Sequence, residues 1–574
     1  MKLASIQQFP LNRFTGFDAD SRSQCQRKTN IEPRLLAFGP DGLDSERIGH
    51  LHARMLQHFR GQWQFFSCFL TASLYPSAMS RQIIPFELPL VPSLPTIEGN
   101  LDYDQWCHQL QRIDHLLIHS GIEAAFLNDY IQDVLQASGR TTLSAKVQLR
   151  LQDRARRALR CNIARSLLNE DFRGFAVRLA DSPLLQSFCQ IHRLDRIRVP
   201  SKSELDRFAK LVPEARVRQI VAQLTCQGHD QPTTLGLEEP VDLDEYFLDT
   251  TCLEANIHYP VDWVLFRDAT RTLMKAVRLI RGQGLKHRMP DPESFLRDMN
   301  RLCIEMTHAR AKEDSQRQRK KTVRKMDRLA GVVRNHARRY RQLLDEKWEQ
   351  TEWTRGQAEQ VLERMDQVLE QLPAARRQAR ERILKGQMVP NQEKILSFYE
   401  PEVQVIVRRK AGAEVEFGNT LLLGESRQGL IVDWELFAEA APSDSRLLAT
   451  SLTRTEAALE RKIKAVGADR GFDSQRNQAE LAQRRTYNGV CPRSPDQMKQ
   501  RNRSWKFKEL QRRRSQTEGR VAIFKNNILG SPLLSKGIEH RQLAVAWAVL
   551  SHNLWVFARL PEAQEAKASA KAAA

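Results

Sequence analysis

The chain has 574 residues, with 89 Lys+Arg against 69 Asp+Glu and a formal net charge of +20 at pH 7. A hydrophobic share of 41% beside 28% charged residues excludes a disordered or collagen-like polymer. It fits a soluble globular protein of three or four domains, and the positive excess favours a polyanionic partner, nucleic acid above all.

Further classes drop out on local pattern. The start, MKLASIQQFPLNRF, lacks the continuous apolar run of a secretory leader. The nine cysteines are scattered with no CxxC pair, which argues against a zinc ribbon or a disulfide framework and suits a reducing cytoplasm. No Walker-type or GxGxxG loop is present, so no nucleotide cofactor is expected. The longest apolar run, Leu543 to Phe557, is broken at its centre by Ser551, His552 and Asn553. It falls short of the ~20 residues of a membrane span and reads as a buried amphipathic helix, with no membrane partner.

In chain order, residues 1–100 form a mixed arm that ends in the proline-rich FELPLVPSLPTIEG. Residues 101–235 carry apolar positions at i, i+3, i+4 and i+7 and read as helices. Within them, DSPLLQSFCQIHRLDRIRVPSKSELDRFAKL reads as helix, loop and helix, with Ser201 or Ser203 as the second N-cap. It is either a helix-turn-helix-like DNA-binding element or plain helical packing.

From Gln219 to Phe266 there is no Lys or Arg, while nine acids lie there: Asp230, Glu238, Glu239, Asp242, Asp244, Glu245, Asp249, Glu254 and Asp262. Such an island is either a cation site or a solvated acidic loop. EYFLDTTCLEANI inside it reads as a strand carrying Asp249. Residues 263–397 are helical and charged, with 14 bases against five acids between Arg310 and Lys347, an excess able to attract phosphates. TRGQAEQVLERMDQVLEQL has the heptad-like spacing of a helical hairpin or short coiled coil.

After Ser397 the pattern becomes β-rich. VQVIVRR, EVEFGNTLLLGE and QGLIVDWELFAE read as strands, the last two as a hairpin. A helix in SRLLATSLTRTEAALERKIK precedes AVGADRGF, a buried strand entering a turn at Gly471, and TYNGVCP is a further short strand. Helices follow over about 506–526 and 537–560, and the tail 561–574 is low-complexity and expected to be disordered.

Three acids stand where chemistry needs them: Asp249 on a strand, Asp469 at a strand end in GADRGFDS, and Glu518 on a helix in LQRRRSQTEGRVAIFKN. Two aspartates and a glutamate can converge on a pair of Mg²⁺ (or Mn²⁺) ions, hard cations that match carboxylate oxygens. On the glutamate helix, Gln511, Arg514, Glu518 and Lys525 fall within roughly a 60° arc. Ten bases face three acids from Arg493 to Arg520. Trp505 and Phe507 there either stack on an extruded base or pack into the core. His258 and Asp262 lie close to the first motif, where His258-Tyr259-Pro260 shapes a turn.

These blocks, LDTTCLEANIHYPVDWVLF, SFYEPEVQVIVRRKAGAEVEFGN, GLIVDWELF, GADRGFDS, EGRVAIFKNNILG and AVAWAVLSHNLWVFARL, run in order over about 246–560. Together they resemble the DDE transposases of bacterial insertion sequences. The resemblance implies an α/β, ribonuclease-H-like mixed sheet flanked by helices, formed by 236–262 and 398–560. It further implies a basic helical insertion over 263–397 and an N-terminal, mainly helical DNA-binding region over 101–235. Asp249, Asp469 and Glu518 would be catalytic and hold two metal ions. Arg514, Lys525, Gln511, Arg512, Arg513 and Arg470 would contact DNA, with Gln511 standing where related enzymes carry a tyrosine.

The implied activity is binding of inverted-repeat ends, metal-dependent cleavage, and strand transfer into target DNA by a homo-oligomer in the cytoplasm, at the nucleoid. A nuclease on the same fold that cuts without joining, or a non-catalytic DNA-binding relic of a transposase, are the alternatives.

Overall fold

The computed structural model describes residues 94, 96–192, 196–309, 314–410 and 413–572. The arm expected over 1–100 therefore lies almost wholly outside the described residues.

Seven helices open the described chain: α1 Leu101–His119, α2 Ile122–Ser138, α3 Ala145–Leu168, α4 Phe172–Asp181, α5 Pro183–Phe188, α6 Lys202–Ala209 and α7 Glu214–Asp230. Their starts follow capping chemistry, in which a short polar side chain takes up an otherwise unpaired helix N–H. Asn100 accepts from Tyr103, Asp171 from Gly174, and Ser201 from Glu204, so Ser201 is the N-cap of α6. Residues 189–201 separate α5 from α6 and hold an antiparallel bridge between His192 and Ile197. A helix-turn-helix joins its helices by three or four residues. The connection here is longer, and Leu205 and Phe208 of α6 are buried in the main core.

The sheet has six strands: β1 Glu245–Glu254, β2 Gln404–Lys410, β3 Ala413–Ser426, β4 Ile431–Leu436, β5 Ala465–Ala468 and β6 Tyr487–Val490. Its order is β2-β3-β1-β5-β6, and β4 pairs with the later half of β3 on the same side as β2. β1 is antiparallel to β3, with Asp249 opposite Leu423, and parallel to β5, with Leu248 beside Ala468. β6 continues the parallel side. The hairpin expected between β3 and β4 is present, turning at Gly429 with φ +90°.

Side chains alternate across β1 and divide the two faces. Tyr246 and Leu248 enter the main core, against α12 (Asp444–Leu459) and α16 (Ile538–Ala572). The Tyr246 hydroxyl meets Ser451 Oγ at 2.7 Å and accepts from Thr455 at 3.1 Å, which docks α12 on that face. Gly424 of β3 lies under this ring, where a Cβ would collide with the tyrosine hydroxyl. Phe247 points to the opposite face and packs with Ala465 and Leu510 of α15 (Trp505–Ile523). Between β5 and α15 lie α13 Gln475–Arg484 and α14 Pro495–Arg501.

The apolar run around residue 550 is the spine of the molecule. Val545, Trp547, Val549, Leu550, Leu554 and Phe557 of α16 are buried in one core with α1–α7 and the sheet. Its interrupting polar residues clasp β4: Asn553 accepts from the Ile431 N–H and donates to its carbonyl, and His552 contacts the Gly429 carbonyl. α16 has the length and composition to cross a membrane, yet 67% of its apolar window is buried inside the protein. The helix also continues through 561–572, where a disordered tail was expected. Alanine-rich sequence favours helix, and Arg112 to Glu562 and Gln564 to the Glu239 carbonyl hold it down.

Residues 101–235 thus share a core with the sheet. The insertion has a core of its own, built by α8 Asp262–Gly282, α9 Pro292–His308, α10 Ser315–Lys347 and α11 Arg355–Ala379. α11 opens with a capping box between Thr354 and Gln357.

Candidate active site

Parallel register and side-chain alternation bring two of the three acids together. Leu248 pairs with Ala468, so Asp249 and Asp469 are the next residues on neighbouring strands. Asp249 lies two residues beyond Phe247 and shares its face, the face that α15 covers. Asp469 ends β5 and caps the short turn Arg470–Phe472, its carboxylate accepting from the Gly471 N–H at 2.8 Å. Glu518 lies exposed on α15, about one turn beyond Arg514.

The charges report the convergence. The Asp249 carboxyl is pushed up to about 6, first by burial, then by the negative charges of Asp469 and Glu518. The Thr250 N–H, donating at 2.8 Å, and the Arg514 guanidinium act in the opposite direction. Residues 220 and 49 positions apart in sequence therefore share one electrostatic environment. Among the described residues, no three His, Cys, Asp or Glu side chains stand in closed metal-ligating geometry.

Several acids of the island are matched by bases. Asp230 pairs with Arg461, Asp244 with Lys464 at 2.8 Å, Glu245 with Arg427 at 2.6 Å, and Asp262 with Arg382 at 2.8 Å. Each is matched by a base from a distant segment. Asp249 instead faces two more acids. His258 and Asp262 are turned to other work. His258 Nε2 meets buried Asp268 at 2.7 Å, and Asp262 also accepts from Gln378.

The expected DNA-contacting residues divide by orientation. Arg514 is half-buried beside Asp249 and donates to Gln511 at 3.2 Å. Gln511 in turn donates to the Gly489 carbonyl at 2.6 Å, tying α15 to the end of β6. Arg512 and Arg470 are exposed. Lys525 lies in a π-helical stretch, Phe524–Leu529, that follows α15, and its Nζ is 3.5 Å from Glu254 at the end of β1. Gln511, Arg514 and Glu518 all lie on α15, and Lys525 follows just inside the wider π turn.

Arg513 requires a correction. It points inward, donating to Glu425, to the Arg427 and Ser426 carbonyls and to Thr517, with its guanidinium 4.6 Å from the Phe247 ring centre. It pins α15 to the sheet and offers no face to DNA. A basic run of three cannot all face outward on a helix, because successive residues turn by about 100°. The aromatics divide the same way: Phe507 is core, while Trp505 is 74% exposed.

Two residues escaped sequence reasoning. Asp444, at the start of α12, accepts from the Thr250 hydroxyl at 3.1 Å, on the opposite face of β1 from Asp249. Its Oδ2 lies 2.6 Å, and Asp469 Oδ1 3.1 Å, from the point a Cβ on Gly471 would occupy, so the two carboxylates flank that glycine. Arg493 latches the same turn, donating to the Arg470 and Gly471 carbonyls at 3.2 Å each. Asp444 follows Ser443 in an ordinary helix-start pattern, so nothing local marked it.

Compared with known proteins, the chain matches no family model, no curated protein and no solved structure.

Proposed function

We propose that the protein is a DNA transposase of the DDE kind, with a ribonuclease-H-like catalytic domain that cuts inverted-repeat ends and joins them to target DNA. The observation that carries this reading is the parallel register that sets Asp249 and Asp469 side by side at the ends of paired strands, and the raised Asp249 carboxyl, to which Asp469 and Glu518 contribute, agrees with it. The mixed sheet, with both aspartates at adjacent strand positions and the glutamate on a covering helix, supports it.

The donor set fits Mg²⁺ or Mn²⁺: hard carboxylate oxygens whose mutual repulsion a divalent cation relieves. Asp249, Asp469 and Glu518 would hold it. Bound there, it would supply charge neutralisation at the scissile phosphate and a more acidic attacking water. The chain's own residues do the rest. Arg514 lies next to the carboxylates, and exposed Arg512 and Arg470 offer charge to the flanking phosphates.

Cleavage forms one P–O bond from water and breaks the bond to the 3′ oxygen. In joining, that 3′-OH attacks a target phosphodiester, again forming one P–O bond and breaking one. The balance needs no ATP and no protein–DNA bond.

Asp469→Ala should abolish Mg²⁺-dependent cutting of end-containing DNA while leaving DNA binding intact. Unchanged cleavage would refute the assignment. Cutting by wild-type protein without joining of pre-cleaved ends would leave a nuclease in place of a transposase.

A further inference from the structure

The insertion carries a charge pattern that its own fold does not use. Helix α10 buries Val323, Met326, Ala330, Val333, Ala337, Tyr340 and Leu344 against the rest of the insertion. The opposite pole is a stripe of cations. Arg317, Lys321, Arg324, Arg328 and Arg339 are all exposed. At about 100° per residue they fall within roughly a 60° arc, centred opposite the buried positions. At ~1.5 Å per residue the stripe runs for about 33 Å, close to the ~34 Å of one turn of duplex DNA.

The acids of the same helix are committed elsewhere. Asp327 is turned inward and holds Arg376 and Arg380, at 2.7 and 2.6 Å. Asp345 takes Arg341, and Glu346 lies beyond the end of the stripe, bonded to Gln342. The neighbouring helix offers Glu305, which lies 3.7 Å from Lys325, beside the stripe. Among the described residues the five stripe cations have no ion-pair partner, whereas Arg278, Arg297, Arg301 and Arg355 elsewhere on the insertion each have one. Like charges three and four residues apart repel along a helix, so the stripe is a local strain that a polyanion would relieve.

We propose that the solvent pole of α10 binds the phosphate backbone of duplex DNA without reading its sequence, a clamp separate from the carboxylate site. The proposal rests on the DNA-processing reading above. A helix pole with long cationic side chains and no hydrogen-bonding residue but Asn335 among them suits backbone contact better than base readout. A membrane surface is the poorer occupant, because the apolar face that would insert is already consumed in the insertion's core.

The test is the salt dependence of binding to a random-sequence duplex in EDTA, between roughly 50 and 200 mM salt. Each phosphate contact contributes about 0.9 to the slope of log affinity against log salt. The full-length variant Lys321→Gln, Arg324→Gln, Arg328→Gln, Arg339→Gln should therefore lose about 3 to 4 units of slope. A control removing the four ion-paired arginines at 278, 297, 301 and 355 should lose less than about one unit. Both variants change only exposed helix positions, and circular dichroism checks that each is folded. The stripe variant should still cut end-containing DNA in Mg²⁺ at low salt.

A slope unchanged in the stripe variant, or reduced equally in the control, overturns the proposal and leaves the functional reading standing. Wild-type protein that binds no duplex at low salt overturns both. Preference for phosphatidylserine vesicles over duplex in direct competition also overturns it.

Discussion

Asp249→Asn should make the metal-free protein more stable while destroying its proposed activity. The Asp249 carboxyl rises from 3.8 to about 6, chiefly through burial and the adjoining acids. A carboxyl whose folded pKa exceeds its unfolded value penalises the folded state when ionised. The penalty is absent below about 4, grows between 4 and 6, and is complete above 6. At ~1.36 kcal/mol per unit it amounts to about 3 kcal/mol at pH 8, or about 100-fold in an opening equilibrium. Asparagine removes the charge while its amide oxygen can still accept from the Thr250 N–H. Hydrogen exchange of a peptide covering residues 245–254, in EDTA, reads that local opening. Exchange at pH 8 should slow by one to two orders of magnitude in the variant, with the difference vanishing near pH 4 once intrinsic rates are divided out. Added Mg²⁺ should slow exchange in wild type more than in the variant. Equal protection of the two proteins at pH 8, or a gain that persists undiminished at pH 4, would refute the reasoning.

Arg513→Ala should destabilise the sheet–helix junction by about 3 kcal/mol, because buried Glu425 would lose its nearest cation and keep only the Thr517 hydroxyl and Arg520 at 3.8 Å. Urea denaturation followed by exposure of buried Trp434 checks this, and Arg513→Lys should recover only part of the loss, since one ammonium cannot span four acceptors. Asp444→Asn should weaken Mn²⁺ binding several-fold, measured by calorimetry, through loss of a charge beside Asp469 and Thr250, while Asp469→Ala removes binding at the site altogether.

The order of elements was legible because it depends on local chemistry. The period of the apolar residues, the serine, asparagine and threonine caps, and the glycine turn at 429 each act within a few positions. The strands at 245–254, 431–436, 465–468 and 487–490 fall inside the runs read as strands, and those at 404–410 and 413–426 overrun theirs by a single residue at one end or both. The helix of residues 561–572 is not legible locally, because the contacts that anchor its start, Arg112 to Glu562 and Gln564 to the Glu239 carbonyl, come from far away in sequence.

The strong positive charge, the base-free stretch at 219–266 and the three acids that head the candidate site are all readable from residue order alone. What it could not determine is which charges meet. Four acids of that stretch are matched to arginines and lysines between positions 382 and 464, while Asp249 is set against Asp469 and Glu518. That sorting follows from strand register and from which face each residue takes. The same geometry turned Arg513 inward, brought Asp444 to the edge of the site, and left five cations of α10 in one row. Charge composition is a sum over the chain, whereas its chemistry depends on distances that only the packed structure sets.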